Sequence, residues 1–201
     1  HMDNEDEVFL FGVETSASGA SWIPPQKAKT NLKELFIQEF ELTDAVSELL
    51  VNRGFGLEDL PNFFDPKIKN LMPDPSILID MDKTVERIAK AIINKETIGI
   101  FGDYDVDGAC SSAIIKSYLV SIGSKVEVHI PDRFKEGYGP NKEALLKLKE
   151  KGCKLIITVD CGITAFEPLK IAKENNIDVI ILDHHITEPS LPEAYAIINP
   201  N

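Results

Sequence analysis

Between residues 97 and 198 the chain repeats one pattern: a short, nearly unbroken apolar run, a longer stretch with helical periodicity, then another apolar run. The apolar runs cover residues 97–101, 125–130, 154–159, 178–182 and 194–198, and helices are predicted over 108–121, 141–151 and 165–175. Strands that are apolar on both sides must be covered on both faces. Parallel neighbours also need crossovers long enough to hold a helix. The pattern therefore predicts an α/β fold: a doubly wound, mostly parallel sheet with helices on either side. No internal repeat competes with that reading.

The preceding residues follow a different rule. Leu42, Val46, Leu49 and Leu50 recur at helical spacing, with Thr43 placed to cap. Gly54 and Gly56 interrupt the pattern, and Pro61, Pro66, Pro73 and Pro75 punctuate a connector before a helix predicted over 81–94. Three regions are expected: 1–30, a tag scar at His1-Met2 and a loosely held tail; 31–75, a small helical subdomain and connector; and 76–201, the α/β domain.

Composition narrows the function. No apolar run approaches the ~20 residues that cross a bilayer, and no secretion signal opens the chain, so a cytoplasmic protein without membrane contact is expected. Cys110, Cys153 and Cys161 form no CxxC pair and are expected to be reduced thiols. The net charge of −12 opposes a broad electrostatic grip on nucleic acid. It suits a protein that collects cations.

In an open α/β sheet the binding crevice lies outside the carboxyl ends of the strands. Here those ends are acidic: Asp103, Asp105 and Asp107 follow the first run, Asp160 the third, and Asp183-His184-His185 the fourth. Any one of these acids alone reads as a helix cap. Converging carboxylates repel unless cations or protons offset them. Oxygen ligands with imidazole suit Mn2+ or Mg2+, and several shared carboxylates suit a pair of ions. Of the adjacent histidines, one is placed to bind metal and the other to meet substrate, whereas His129 sits inside a strand. Gly108 at the head of a helix also admits a phosphate cradle, but the Walker lysine and a GxGxxG are both lacking. The long loop over 131–141 carries Arg133, Lys135, Gly137 and Gly139 to hold a phosphate, and Phe134 and Tyr138 to stack a base. Its bland alternative is a solvated turn.

The runs DYDVDG (103–108), VDCG (159–162) and LDHH (182–185) resemble the first three motifs of the DHH phosphoesterases. IPDRFKEGYGPN (130–141), with LLVNRG, FFDP and MDKTVERIAKAI upstream, resembles the RecJ-like branch of that family. The resemblance implies that Asp105, Asp107, Asp160 and His184 hold two divalent cations, Mn2+ or Mg2+. Asp103 and Asp183 would support them. It implies catalytic roles for His185, facing the scissile phosphate, for Asp160, bridging the ions, and for Arg133. Substrate contacts would come from Arg133, Gly137, Tyr138 and Gly139. Phe101 stands where the manganese pyrophosphatases of the family have a ligating His, which disfavours that branch.

The expected activity is 5'→3' exonucleolytic hydrolysis of single-stranded DNA in repair and recombination, by a monomer. A single-strand-binding protein and a helicase are the partners such a role would call for. The alternatives are a DHH phosphodiesterase acting on short oligoribonucleotides or cyclic dinucleotides, a catalytically silent DNA-binding module, and a nucleotide-binding α/β domain. The chain stops at Asn201, before the family's fourth motif and its DHHA1 domain. A truncated piece with little activity of its own is therefore expected.

Overall fold

The computed structural model describes residues 9–24 and 30–201. These divide between Met72 and Pro73 into two compact units. In the first, α1 (Thr30–Phe40), α2 (Asp44–Asn52), α3 (Leu60–Phe64) and the single turn α4 (Ile68–Leu71) form the helical region. Phe36, Leu50 and Leu60 are buried together at its centre. Thr43 starts α2 as expected, its Oγ1 accepting from the Val46 amide at 3.4 Å.

The expected loose tail lies partly outside the described residues. Residues 9–24 close on themselves: the Leu10 amide donates to the Trp22 carbonyl at 2.8 Å and the Trp22 amide to the Val13 carbonyl at 3.1 Å. Phe11 and Trp22 meet edge to face at 6.4 Å. Two aromatics brought together across a turn supply the local contact that a reading based on helical period does not register.

The second unit is the doubly wound domain. Five strands, β1 (Thr97–Gly102), β2 (Val126–His129), β3 (Cys153–Val159), β4 (Asp178–Leu182) and β5 (Ala196–Ile198), form one sheet in the order β2-β1-β3-β4-β5. Every pairing is parallel. The helices α5 (Met81–Ile93), α6 (Val106–Ser121), α7 (Lys142–Glu150) and α8 (Phe166–Glu174) cover it. Alternate residues of each strand serve opposite faces. Phe101, Ile156 and Ile181 pack under Leu145, Leu148 and Leu169 of α7 and α8. Ile100, Ile157 and Ile180 pack under Ala91 and Leu119 of α5 and α6. Each such Ile or Leu, wholly removed from water, contributes about 1.5–3 kcal/mol, so the sheet is held from both sides.

The α5–α6 face is less tightly closed. A groove of about 520 Å3 runs between these helices, with Leu119 and Ile157 on its floor and Val85, Ile114 and Tyr118 on its walls. The strand order matters more for chemistry. The chain winds outward in opposite directions from β1 and β3, so the connections leaving their carboxyl ends part and leave a crevice at that switch point.

Candidate metal centre

The carboxyl ends of β1, β3 and β4 bring their acidic residues to that crevice. Asp103, Asp105 and Asp160 each present a carboxylate oxygen within 4.8 Å of the others; Asp160, His184 and His185 form a second group at the same spacing. Asp160 belongs to both.

Local structure fixes each member. Asp105 is the N-cap of α6, one oxygen accepting from the Asp107 and Gly108 amides at 3.0 Å each. The capping role is thus real, and it leaves the second carboxylate oxygen free. Gly108 lets the first turn of α6 close on β1: a Cβ there would lie 2.5 Å from the Asp103 backbone nitrogen. Asp103 itself is buried, and its Oδ1 has no hydrogen-bond partner. A buried carboxylate oxygen without a partner is costly, and a cation beside Asp105 and Asp160 would satisfy it. The donor set therefore fits a divalent ion.

Asp160 follows β3 in the left-handed region, at φ 60°. Its amide donates to the Leu182 carbonyl at 2.9 Å. This conformation costs most residues energy, and Asp and Asn tolerate it best. Burial and the neighbouring Asp105 carboxylate push the Asp160 pKa above the usual carboxylate range, only partly offset by His184, whose Nε2 lies 3.0 Å away. Asp105 shifts the other way, held low by the Gly108 amide against the opposing effect of desolvation. The Asp160 shift thus records two carboxylates sharing a site with too little positive charge, and the Asp105 shift records its backbone cap.

Asp183 is the organiser. One oxygen accepts from the His184 and His185 amides, at 2.8 and 3.2 Å, and from His185 Nδ1 at 2.7 Å. The other accepts from the Ile163 amide at 3.1 Å. Burial pushes its pKa up, but these bonds outweigh it and hold the carboxyl below the usual range. In return Asp183 raises the His185 pKa above 6.5. With Nδ1 committed as a donor, His185 turns Nε2 outward.

The loop over 131–141 reaches the same rim. The Tyr138 hydroxyl lies 3.3 Å from the Asp160 carbonyl, to which it donates, and 3.3 Å from His185 Nδ1. Burial and nearby carboxylates, Asp183 first, push its pKa up, so it remains a neutral phenol. The Arg133 guanidinium sits over the Tyr104 ring at 5.4 Å. Gly137 and Gly139 adopt φ of 77° and 79° with open space where a Cβ would be, which keeps their backbone approachable.

Asp107 stands apart from the two groups. It lies exposed in the first turn of α6, on a cleft of about 380 Å3 that it lines with Cys110, Asp160, His184 and Ile198. Cys161 is buried beneath the site with its thiol pKa raised by desolvation, and Cys110 is an exposed free thiol. Two contributors escaped sequence reasoning. Tyr104, which carries the Arg133 guanidinium, and Glu136, which bonds His129, Asp132 and Asn141, have no role in the sequence reading. Neither has a local signal: Tyr104 works through Arg133, far along the chain, and Glu136 through a loop path that follows no helical or strand period.

The family model for the DHH family, N-terminal domain, matches residues 97–201. The chain belongs to the DHH family. It is 41% identical over 184 residues to the single-stranded-DNA-specific exonuclease RecJ of Bacillus subtilis, covering 92% of this chain and 23% of that one. The RecJ of Escherichia coli is 37% identical over 163 residues, covering 80% and 27%. Two solved structures resemble this chain. Exonuclease RecJ bound to manganese has a TM-score of 0.57 at 33% identity, over 61% of this chain and 31% of that one. RecJ from Thermus thermophilus in complex with Mn2+ has a TM-score of 0.61 at 26% identity, over 85% and 23%. This DHH chain spans about a quarter of the length of those curated relatives. Among the described residues no helix is long and apolar enough to cross a membrane.

Proposed function

We propose that this chain carries metal-binding motifs of a RecJ-like exonuclease, which hydrolyses phosphodiesters of single-stranded DNA from the 5' end in repair and recombination. The observation that carries the reading is that Asp160 is common to two three-residue ligand groups. One carboxylate serving two sets of donors suits a pair of cations better than one. The manganese in the two similar RecJ structures and the names of the curated relatives support the same assignment.

Asp105, Asp107, Asp160 and His184 would hold Mn2+ or Mg2+, with Asp103 close enough to join them and Asp183 keeping both histidines in place. Bound there, the cations would neutralise phosphate charge and lower the pKa of water for attack. The remaining work falls to the protein. His185 would direct Nε2 at a non-bridging phosphate oxygen, Asp183 fixing the ring from behind. Arg133 would supply a second positive contact to the phosphate. Gly137, Tyr138 and Gly139 would shape the loop around it. Tyr138 stays protonated and holds the Asp160 backbone against the loop.

Calorimetric titration with Mn2+ tests the centre: wild type binds, and Asp160→Asn loses binding. A nuclease assay in a longer protein containing this chain tests the chemistry. There Asp107→Ala reduces cleavage of a single strand to background while leaving the circular dichroism spectrum unchanged. Strong residual cleavage would remove Asp107 from the ligand set. Preference for a cyclic dinucleotide or a short oligoribonucleotide over a long DNA strand would replace the substrate.

A further inference from the structure

The loop over 131–141 is anchored more firmly than a solvated turn requires. At its base Glu136 accepts from the Asp132 amide at 2.8 Å and from Asn141 Nδ2 at 3.3 Å, and pairs with His129 Nε2 at 2.8 Å. His129 in turn stacks on Phe101 at 5.4 Å, and Asn141 caps α7 through the Ala144 amide at 2.8 Å. Asp132 turns the apex by accepting from the Phe134 and Lys135 amides, at 2.9 and 3.1 Å. Arg133 and Tyr138 tie the flanks to Tyr104 and Asp160.

The apex so held leaves Arg133, Phe134 and Lys135 exposed, and of these Phe134 is the apolar one. Phe134 is 95% exposed, while the other aromatics of the rim are engaged: Phe101 with His129, Tyr104 with Arg133, and Tyr138 with His185. An exposed phenyl ring on a fixed turn gains nothing from folding, so its position is explained by what it meets. Tyr138 lies four positions further along the chain, which bounds their Cα spacing at ~14 Å. A strand whose phosphate lies at the acidic rim would carry its neighbouring bases within that reach.

We propose that Phe134 is a stacking platform for an unpaired nucleobase, and that the Glu136-centred network keeps the ring presented. The proposal rests on the single-strand reading above and deepens it: the loop grips a base by its face, without regard to sequence, close to the reacting phosphate. A π-face contact of this kind is open to any unpaired base and closed to bases stacked in a duplex. It needs no added positive charge, which suits a chain with a net charge of −12.

The experiment measures, by fluorescence anisotropy with Mn2+ present, binding of a short phosphorothioate oligothymidylate and of the same backbone made abasic. Wild type is expected to bind the base-bearing strand about tenfold more tightly. Phe134→Ala loses that advantage and binds both alike, at the wild-type affinity for the abasic strand. Phe134→Trp retains it, and its added indole emission, read against the wild-type signal from Trp22, is quenched by the base-bearing strand only. Equal weakening on both strands, or no weakening, overturns the stacking role while leaving the single-strand reading intact. A wild type that binds neither strand overturns both. Because Phe134 packs against nothing, its removal is expected to leave the thermal midpoint unchanged, which separates a lost contact from a lost fold.

Discussion

The two ends of the sheet handle charge in opposite ways. At the amino end the buried Arg87 of α5 donates to Glu96, at 2.9 Å, and to Asp178 at the start of β4, at 2.6 Å. One guanidinium answers two carboxylates through Nε and Nη2, while its Nη1 is buried without a partner. At the carboxyl end Asp160 pairs with His184 and Asp183 with His185, while among the described residues Asp103 and Asp105 have no basic side chain paired with them. Asp183 is satisfied by four hydrogen bonds, while Asp103 keeps an oxygen with no partner and Asp160 is pushed toward protonation. The same fold balances its charges better where they hold structure together, with a guanidinium between two acids, than at the rim where a cation is to be collected.

The largest expected effect comes from breaking the balanced end. Arg87→Met strands two acids near the sheet and is expected to cost about 3 kcal/mol, read as a lower urea midpoint with an unchanged slope. A loss below about 1 kcal/mol would mean that Glu96 and Asp178 escape to solvent, and that the ends differ less than their geometry suggests.

The unbalanced end should respond to the ion itself. Mn2+ at a hundred times its dissociation constant should stabilise wild type by about 2.7 kcal/mol and leave Asp160→Asn unmoved. Equal stabilisation of the two proteins would place the ion elsewhere.

Without metal the same substitution should act in the opposite direction. Asp160→Asn removes one of two crowded carboxylates and should raise stability by about 1 kcal/mol at neutral pH, the repulsion of unit charges ~4 Å apart in water. A carboxyl whose pKa is higher in the folded than in the unfolded state destabilises the protein fully above the folded pKa and not at all below the unfolded one. The advantage of Asn should therefore fade as pH falls toward the ordinary Asp value of 3.8. A metal-free variant less stable than wild type at neutral pH would show that the bond to His184 outweighs the repulsion. The smallest effect belongs to neither end: Glu193→Gln breaks the exposed pair with Lys173 and should leave the urea midpoint within error.

The sheet was readable because parallel strands covered on both faces are nearly all apolar, which the run at 154–159 displays without ambiguity. Boundaries moved where side chains intervene. α6 begins at Val106, ahead of the expected Gly108, because the Asp105 carboxylate caps it. The convergence of Asp103, Asp105, Asp160, His184 and His185 was legible because strand ends in this topology share one rim. The left-handed turn at Asp160, the four bonds into Asp183 and the network around Glu136 were not. Each depends on the path of a loop, and no local periodicity encodes a pairing such as His129 with Glu136 across seven residues.

The left-handed backbone at Asp160 also constrains how this centre can be lost by mutation. Only Asp, Asn and Gly occupy such a conformation readily. Of these, Asn is one base change from Asp and keeps nearly the same shape while discarding the charge. Descent toward a silent domain should therefore pass through Asn at this position, leaving a protein that folds at least as well as its ancestor and no longer holds its ions.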